Sequence, residues 1–465
     1  MIEFAHLTDA ERMKIVFAQY LPGLAHRQTH ITNCSILHVW RKTYRKNADQ
    51  SFLTVLYELS ITNVATKQTS QQLLYAKAYQ NHRSQMEFRR QVNTRLSAPA
   101  FGAALTHIPA LDMVVWSFPN DPTLPQLATL LDAEQIKSHL PYDQFPAGLG
   151  TPKDITDLKI QVVNYRPELR CTVRYECVGS ALRLTLFGKT FADAQGKAIY
   201  ARINTLWHEA QHNPAAFRIA RPLAYNETTQ TIWQEGWPGT PLLNLINQQN
   251  YQSLLAAVAT GLSCLHNSPL QVANGITPDD HLAELQKKTA KLAQAFPHLR
   301  ASLAKTLREL ESSKPAASPL RLIHGDFHIN QLLVSDSGIA LFDFDEFALG
   351  DPLQDVANFI ADLYAHPFEP AFIEAMAAAL IQYGTAGGED RLNWHLRVQF
   401  LTRAYRCLWQ QKPDLERAVR FYLQLAQGGS GNLHQPPSNP FHLRGGGAHF
   451  ANDLATPVVL PLSLR

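Results

Sequence analysis

Residues 320–362 constrain this chain more than any other stretch: L-R-L-I-H-G-D-F-H-I-N-Q-L-L-V-S-D-S-G-I-A-L-F-D-F-D-E-F-A-L-G-D-P-L-Q-D-V-A-N-F-I-A-D. An apolar run at 320–323 delivers a polar loop, 324–331. Leu332-Leu333-Val334 and Ile339-Ala340-Leu341-Phe342 then flank Ser335-Asp336-Ser337-Gly338, and two apolar runs around such a cluster predict a hairpin. The second run ends on Asp343-Phe344-Asp345, so the hairpin carries Asp326 and Gln331 back towards Asp343. Two carboxylates and an amide oxygen brought together suit a hard divalent cation such as Mg²⁺ and a hydroxyl awaiting deprotonation.

The order His-x-Asp, a side-chain oxygen five residues after the Asp, a hairpin and a second Asp is the protein-kinase order. Gly325, His328 and the sequel Gly350-Asp351-Pro352-Leu353-Gln354-Asp355-Val356-Ala357 narrow the resemblance. The stretch resembles the aminoglycoside phosphotransferase/choline kinase-like group of small-molecule kinases. His-Gly-Asp alone is weak evidence, whereas the ordered set over about 30 residues is hard to obtain otherwise. The resemblance implies that Asp326 is the catalytic Asp and that Asp343 is a Mg²⁺ ligand. The second ligand of the group is usually Asn. Here that position holds Gln331, with Asn330 displaced by one. Gln presents the same amide oxygen on a stem one methylene longer, and maltokinase-like members of the group resemble this variant, so Gln331 is expected to serve as a metal ligand.

The implied fold is α+β: a bilobal protein-kinase-like fold with an antiparallel β small lobe, a mainly α large lobe and an N-terminal α+β extension. The boundaries fall at 1–150 for the extension, 151–240 for the small lobe, 241–427 for the large lobe and 428–465 for a Gly/Pro-rich tail. In the small lobe, strands are expected over 159–164, 171–178 and 182–191. The turn 165–170 takes the place of the phosphate-covering loop without its glycines. Lys189, central in the third strand, matches the position from which kinases pair Lys with the nucleotide phosphates. The other reading of Lys189 is a strand lysine with its head in water. Glu209 is the acidic residue left on the following helix, 195–211, once Asp193 just before it is set aside, and so the expected partner of Lys189. Residues 235–239, opening with Glu235, are the expected hinge against the adenine. The helix 251–266 shows an apolar stripe of Leu254, Leu255, Val258, Leu262 and Leu265. His324 and Asp355 read as loop-holding residues and His266 as structural.

The N-terminal region echoes the small lobe. Thr54-Val55-Leu56-Tyr57-Glu58 resembles Thr172-Val173-Arg174-Tyr175-Glu176, and Tyr75-Ala76-Lys77-Ala78-Tyr79 resembles Phe187-Gly188-Lys189-Thr190-Phe191. A duplicated small lobe is one reading and two β-meanders of similar composition the other. No second His-Gly-Asp loop exists, so the first copy is not a complete kinase.

Of 465 residues, 17% are charged and 45% hydrophobic, which supports large buried cores and argues against global disorder. A net charge of +3 without a Lys/Arg-rich run gives no nucleic-acid footprint. No apolar run approaches the roughly 18 residues of a membrane span. Five scattered cysteines read as reduced thiols of a cytoplasmic protein. The expected activity is therefore an ATP-dependent, Mg²⁺-assisted phosphotransferase acting on a hydroxyl of a small molecule: a sugar, aminoglycoside or amino alcohol. An excess of carboxylates after Arg321 suits a cationic acceptor, whereas the Gln331 variant leans towards a sugar. Two other readings stay open: a pseudokinase that binds nucleotide or scaffolds without turnover, and a hydrolase binding metal through His324, Asp326 and His328.

Overall fold

A computed structural model describes residues 4–21, 29–42, 51–270, 272–273, 275–316, 319–384, 388–411 and 414–428. The tail expected over 428–465 lies, from 429 onward, outside the described residues.

The chain begins with helix α1 (Ala10–Tyr20), capped by Asp9, whose side chain accepts the Arg12 N–H at 3.1 Å. Strands β1 (Thr29–Lys42), β2 (Phe52–Asn63) and β3 (Thr69–Ala78), helix α2 (Arg83–Gln91), and strands β4 (Leu105–Ile108) and β5 (Met113–Ser117) follow. The sheet order is β1-β2-β3-β5-β4, antiparallel throughout. β2 is apolar along most of its length because both faces of this sheet are covered. Leu53, Val55, Tyr57 and Leu59 face α1, while Leu56 joins Tyr75 and Trp116 on the opposite side. Helix α2 ends at Gln91, where Thr94 turns its hydroxyl onto the Gln91 carbonyl at 2.7 Å.

The second sheet repeats this plan. β6 (Asp157–Arg166), β7 (Arg170–Val178), β8 (Arg183–Phe191), β9 (Pro222–Asn226) and β10 (Thr231–Glu235) are ordered β6-β7-β8-β10-β9, with helix α3 (Gln195–Gln211) between the third and fourth strands. β7 alternates strictly, burying Cys171, Val173, Tyr175 and Cys177 while Arg170, Thr172, Arg174 and Glu176 face outward. Its buried face shares one core with Leu56, Tyr75, Val114 and Trp116 of the first sheet.

Beyond β10 the chain crosses to the large lobe. β11 (Thr240–Pro241) pairs with the hairpin β13 (Leu332–Ser335) and β14 (Gly338–Leu341), the hairpin expected from the sequence. β12 (Arg321–Ile323) pairs with β15 (Ala348–Gly350). The rest is helical: α4 (Tyr251–His266), α5 (Pro278–Ala295), α6 (Arg300–Ser312), α7 (Leu353–Leu363), α8 (Pro370–Gly384), α9 (Glu389–Gln410) and α10 (Leu415–Gly428). α4 buries Leu255, Val258, Leu262 and Leu265, the expected stripe. α5 starts at Pro278, where Thr277 and Asp280 form a capping box. The architecture is the two-lobed, kinase-like α+β fold expected from the sequence, with a further β-sheet stacked on its small lobe. None of the described helices is long and apolar enough to cross a membrane.

Candidate active site

The loop of residues 324–331 is held by its neighbours. Its glycine, Gly325, sits at φ +84°, and a Cβ there would collide with the Glu346 carbonyl. Asp355, in the first turn of α7 and fully buried, accepts the N–H groups of His324 at 2.8 Å and Gly325 at 2.9 Å. It also accepts from His266 Nε2 at 3.0 Å. His324 Nε2 donates to the Phe342 carbonyl at 3.0 Å and so ties the loop to the segment carrying Asp343. His324 and Asp355 thus hold backbone, and His266 braces Asp355.

Asp326 remains partly exposed at 28% of its side chain. Its Oδ1 accepts from Asn358 Nδ2 at 3.3 Å and lies 3.8 Å from Arg406 Nη2. His328 Nε2 stands 3.9 Å from Oδ2. Behind this shell Arg403 donates to the Asn358 side chain at 3.3 Å and pairs with Asp362 at 3.1 Å. His328 is buried, and burial holds its imidazole below the usual range against the pull of Asp362 and Asp326. The sequence reading missed Asn358, Arg403 and Arg406. No motif marks these positions.

Asp343 adopts a left-handed conformation, φ 64° and ψ 63°, which turns its carboxylate back towards the small lobe. Lys189, near the end of β8, donates to Asp343 Oδ1 at 2.7 Å and to Asp345 Oδ1 at 2.7 Å. Arg170, at the start of β7, pairs with Asp345 and lies 3.5 Å from Asp343 Oδ2. Burial favours the neutral acid at Asp343, but Lys189, Arg170 and Arg166 outweigh it and hold the carboxyl well below the usual range. Burial lowers the Lys189 ammonium to about 8, opposed by Asp343 and assisted by Arg170 and Arg166.

The remaining sites expected from the sequence fall less simply. Glu209 does not meet Lys189; it accepts from the Ser268 hydroxyl at 2.5 Å, while Asp345 takes the lysine. The residue of α3 that reaches the site region is Arg202, which donates to the Phe347 carbonyl at 3.1 Å. Glu235 ends β10 with its N–H on the Arg221 carbonyl at 2.9 Å, and the next four residues lead to β11. Gln331 is buried beside the site, its main-chain carbonyl accepting the Phe342 N–H at 3.0 Å. Its side-chain oxygen, however, accepts the His328 N–H at 3.2 Å, and its Nε2 has no partner. The expected amide ligand is thus turned onto the loop backbone.

Whether Mg²⁺ suits these residues can be read from the donors. Asp343 and Asp345 each place one carboxylate oxygen 2.7 Å from the same cationic nitrogen. A pair of hard oxygens converging on one positive charge is a donor set that fits Mg²⁺. Gln331 joins them only by rotating its amide, for which the unpartnered Nε2 offers little resistance. Among the described residues no group of three or more His, Cys, Asp or Glu side chains could hold a metal ion.

No curated protein matches the chain by sequence. Among solved structures, a thermostable mutant of aminoglycoside phosphotransferase APH(4)-Ia is similar at 20% identity and TM-score 0.46, over 60% of this chain and 96% of that one. Choline kinase from Cryptosporidium parvum Iowa II is similar at 12% identity and TM-score 0.47, over 66% of this chain and 98% of that one. The GDP complex of aminoglycoside 2'-phosphotransferase-IIIa is similar at 13% identity and TM-score 0.44, over 63% and 97%. The model of the phosphotransferase enzyme family (APH) matches residues 201–395, the segment holding the loop, the hairpin and Asp343. Over those residues the chain is similar to the phosphotransferase enzyme family.

Proposed function

We propose that this protein transfers the γ-phosphoryl group of ATP to a hydroxyl of a small molecule, with Asp326 as catalytic base. The observation that carries the reading is Lys189 of the small lobe set 2.7 Å from Asp343 of the large lobe, the two groups that would share the phosphates and their metal. Mg²⁺, held by Asp343 and Asp345 with Gln331 on amide rotation, would supply charge neutralisation at the phosphates. Lys189 would exchange its carboxylate partners for phosphate oxygens. The backbone of 235–239 would meet the base. Asp326 would orient the acceptor hydroxyl and take its proton as the oxygen bonds phosphorus and the bridging P–O bond to ADP breaks. Asn358, fixed by Arg403, keeps that carboxylate in place.

Arg406, 3.8 Å from Asp326, bears on the acceptor. A polycationic acceptor would bring its charge against this guanidinium, so an uncharged hydroxyl compound such as a sugar is favoured over an aminoglycoside or amino alcohol. The turned amide of Gln331 is what favours the rival reading, nucleotide binding without turnover. Thermal unfolding with and without Mg-ATP tests the nucleotide site. Ligand at 100 times its Kd should stabilise the protein by about 2.7 kcal/mol, and Asp343→Ala should lose the shift. An unchanged melting temperature for the wild type with every nucleotide would overturn the reading.

A further inference from the structure

The two five-stranded sheets are alike beyond their strand order. Lys77, one residue before the end of β3, lies opposite Thr54 of β2, as Lys189, two residues before the end of β8, lies opposite Thr172 of β7. Each third-strand lysine also ends on a carboxylate of the module beneath it. Lys189 takes Asp343 and Asp345. Lys77 takes Glu168, donating to Oε1 at 2.8 Å and to Oε2 at 3.0 Å. The ion pair is shielded, with 14% of the lysine and 27% of the glutamate side chain exposed, and the ammonium lies 4.2 Å above the Phe52 ring.

Glu168 is the tip of the turn between β6 and β7, in the place of the phosphate-covering loop. It holds a left-handed conformation at φ 64°, unfavourable for a residue with a Cβ. Such a conformation persists only where the surroundings over-determine it, and here the surroundings come from the N-terminal region. Asp121, buried, accepts both the Glu168 N–H at 2.8 Å and the Tyr165 hydroxyl at 2.8 Å. Two residues further on, Arg170 pairs with Asp345. A continuous path of contacts therefore runs from Lys77 through the turn to the carboxylates under Lys189.

We propose that the N-terminal sheet is a degenerate copy of the small lobe whose lysine has become a positioning residue, clamping the 165–170 turn over the nucleotide phosphates. This rests on the phosphotransferase reading. A glycine-rich loop follows the phosphates by its own flexibility and backbone N–H groups. This turn lacks those glycines, and its shape is supplied from outside by Lys77 and Asp121. Arg166 and Arg170 are thereby set at the phosphates. Lys77, occupied by Glu168, does not itself bind nucleotide.

A double-mutant cycle on the full chain tests this, with Mg-ATP binding measured calorimetrically for wild type, Lys77→Met, Glu168→Gln and the double variant. Each single variant should weaken binding about tenfold, equal to about 1.4 kcal/mol, and the double variant should also weaken it about tenfold and not a hundredfold. Lys77→Arg should bind as wild type does. Amide exchange over 166–169, followed without nucleotide, should speed up in both single variants and remain slow in Lys77→Arg. Folded single variants with wild-type affinity and wild-type exchange would overturn the clamp. A wild type that binds no nucleotide would instead remove the phosphotransferase reading, and the exchange rates alone would then decide whether Lys77 holds the turn.

Discussion

Lys189 Nζ, on the central strand of the small lobe, lies 2.7 Å from Asp343 Oδ1 on the large lobe. The contact closes the cleft between lobes by charge, with Asp345 and Arg170 completing a compact set of two anions and two cations. Opposite charges in a partly buried site reinforce each other and give the pair a pH signature. Lys189 titrates at about 8 and reports on the free protein. kcat/KM for Mg-ATP should be flat below that pH and fall above it by up to about tenfold per pH unit. Lys189→Arg should remove the alkaline limb, because guanidinium stays charged.

Asp343 has the opposite signature. Its folded carboxyl titrates below its unfolded value, so its contribution to stability is present above about pH 4 and is lost as pH falls further. Melting temperatures at pH 6 and pH 3 should therefore drop more for wild type than for Asp343→Asn.

Asp345 and Glu209 separate two assignments of the lysine's partner. Asp345→Asn should lower kcat/KM about tenfold or more, by weakening the charge-assisted bonds to Lys189 and Arg170. Glu209→Gln should stay within about twofold, since the amide still accepts from Ser268. Steady-state kinetics of the two variants, side by side, checks this.

Asp355 carries the loop. Asp355→Ala strands two buried N–H groups and His266, and should cost about 3–5 kcal/mol in urea unfolding. Asp355→Asn should fall between, since one of its side-chain atoms still accepts. An alanine variant as stable as wild type would mean the loop finds its shape elsewhere.

Much of this was legible in the sequence. The hairpin came from two apolar runs around Ser-Asp-Ser-Gly, the loop from His-Gly-Asp, and the roles of His324 and Asp355 from polar residues placed where only backbone needs them. The similarity of the two sheets showed in local echoes such as those around Lys77 and Lys189, because strand alternation repeats at short range. What failed depends on direction in space. Glu209 was chosen because it was the acidic residue left on its helix, but helix phase turns it towards Ser268 and lets Arg202 reach Phe347. Gln331 is legible as a side-chain oxygen five residues after Asp326, yet the rotation of its amide is set by one bond to the His328 N–H. Arg406 and Asn358 come from two helices far apart in the chain, and their meeting at Asp326 has no local signature.

The most direct test of phosphoryl transfer is to incubate the protein with Mg-ATP labelled at the γ-phosphate and a panel of sugars, aminoglycosides and amino alcohols, alongside Asp326→Asn. Label should pass to a hydroxyl compound, an uncharged sugar before a polycation, and Asp326→Asn should lower the rate about 10²–10⁴-fold while leaving nucleotide binding intact. Nucleotide binding without transfer to any acceptor, or equal transfer by wild type and Asp326→Asn, would contradict the role given to this carboxylate.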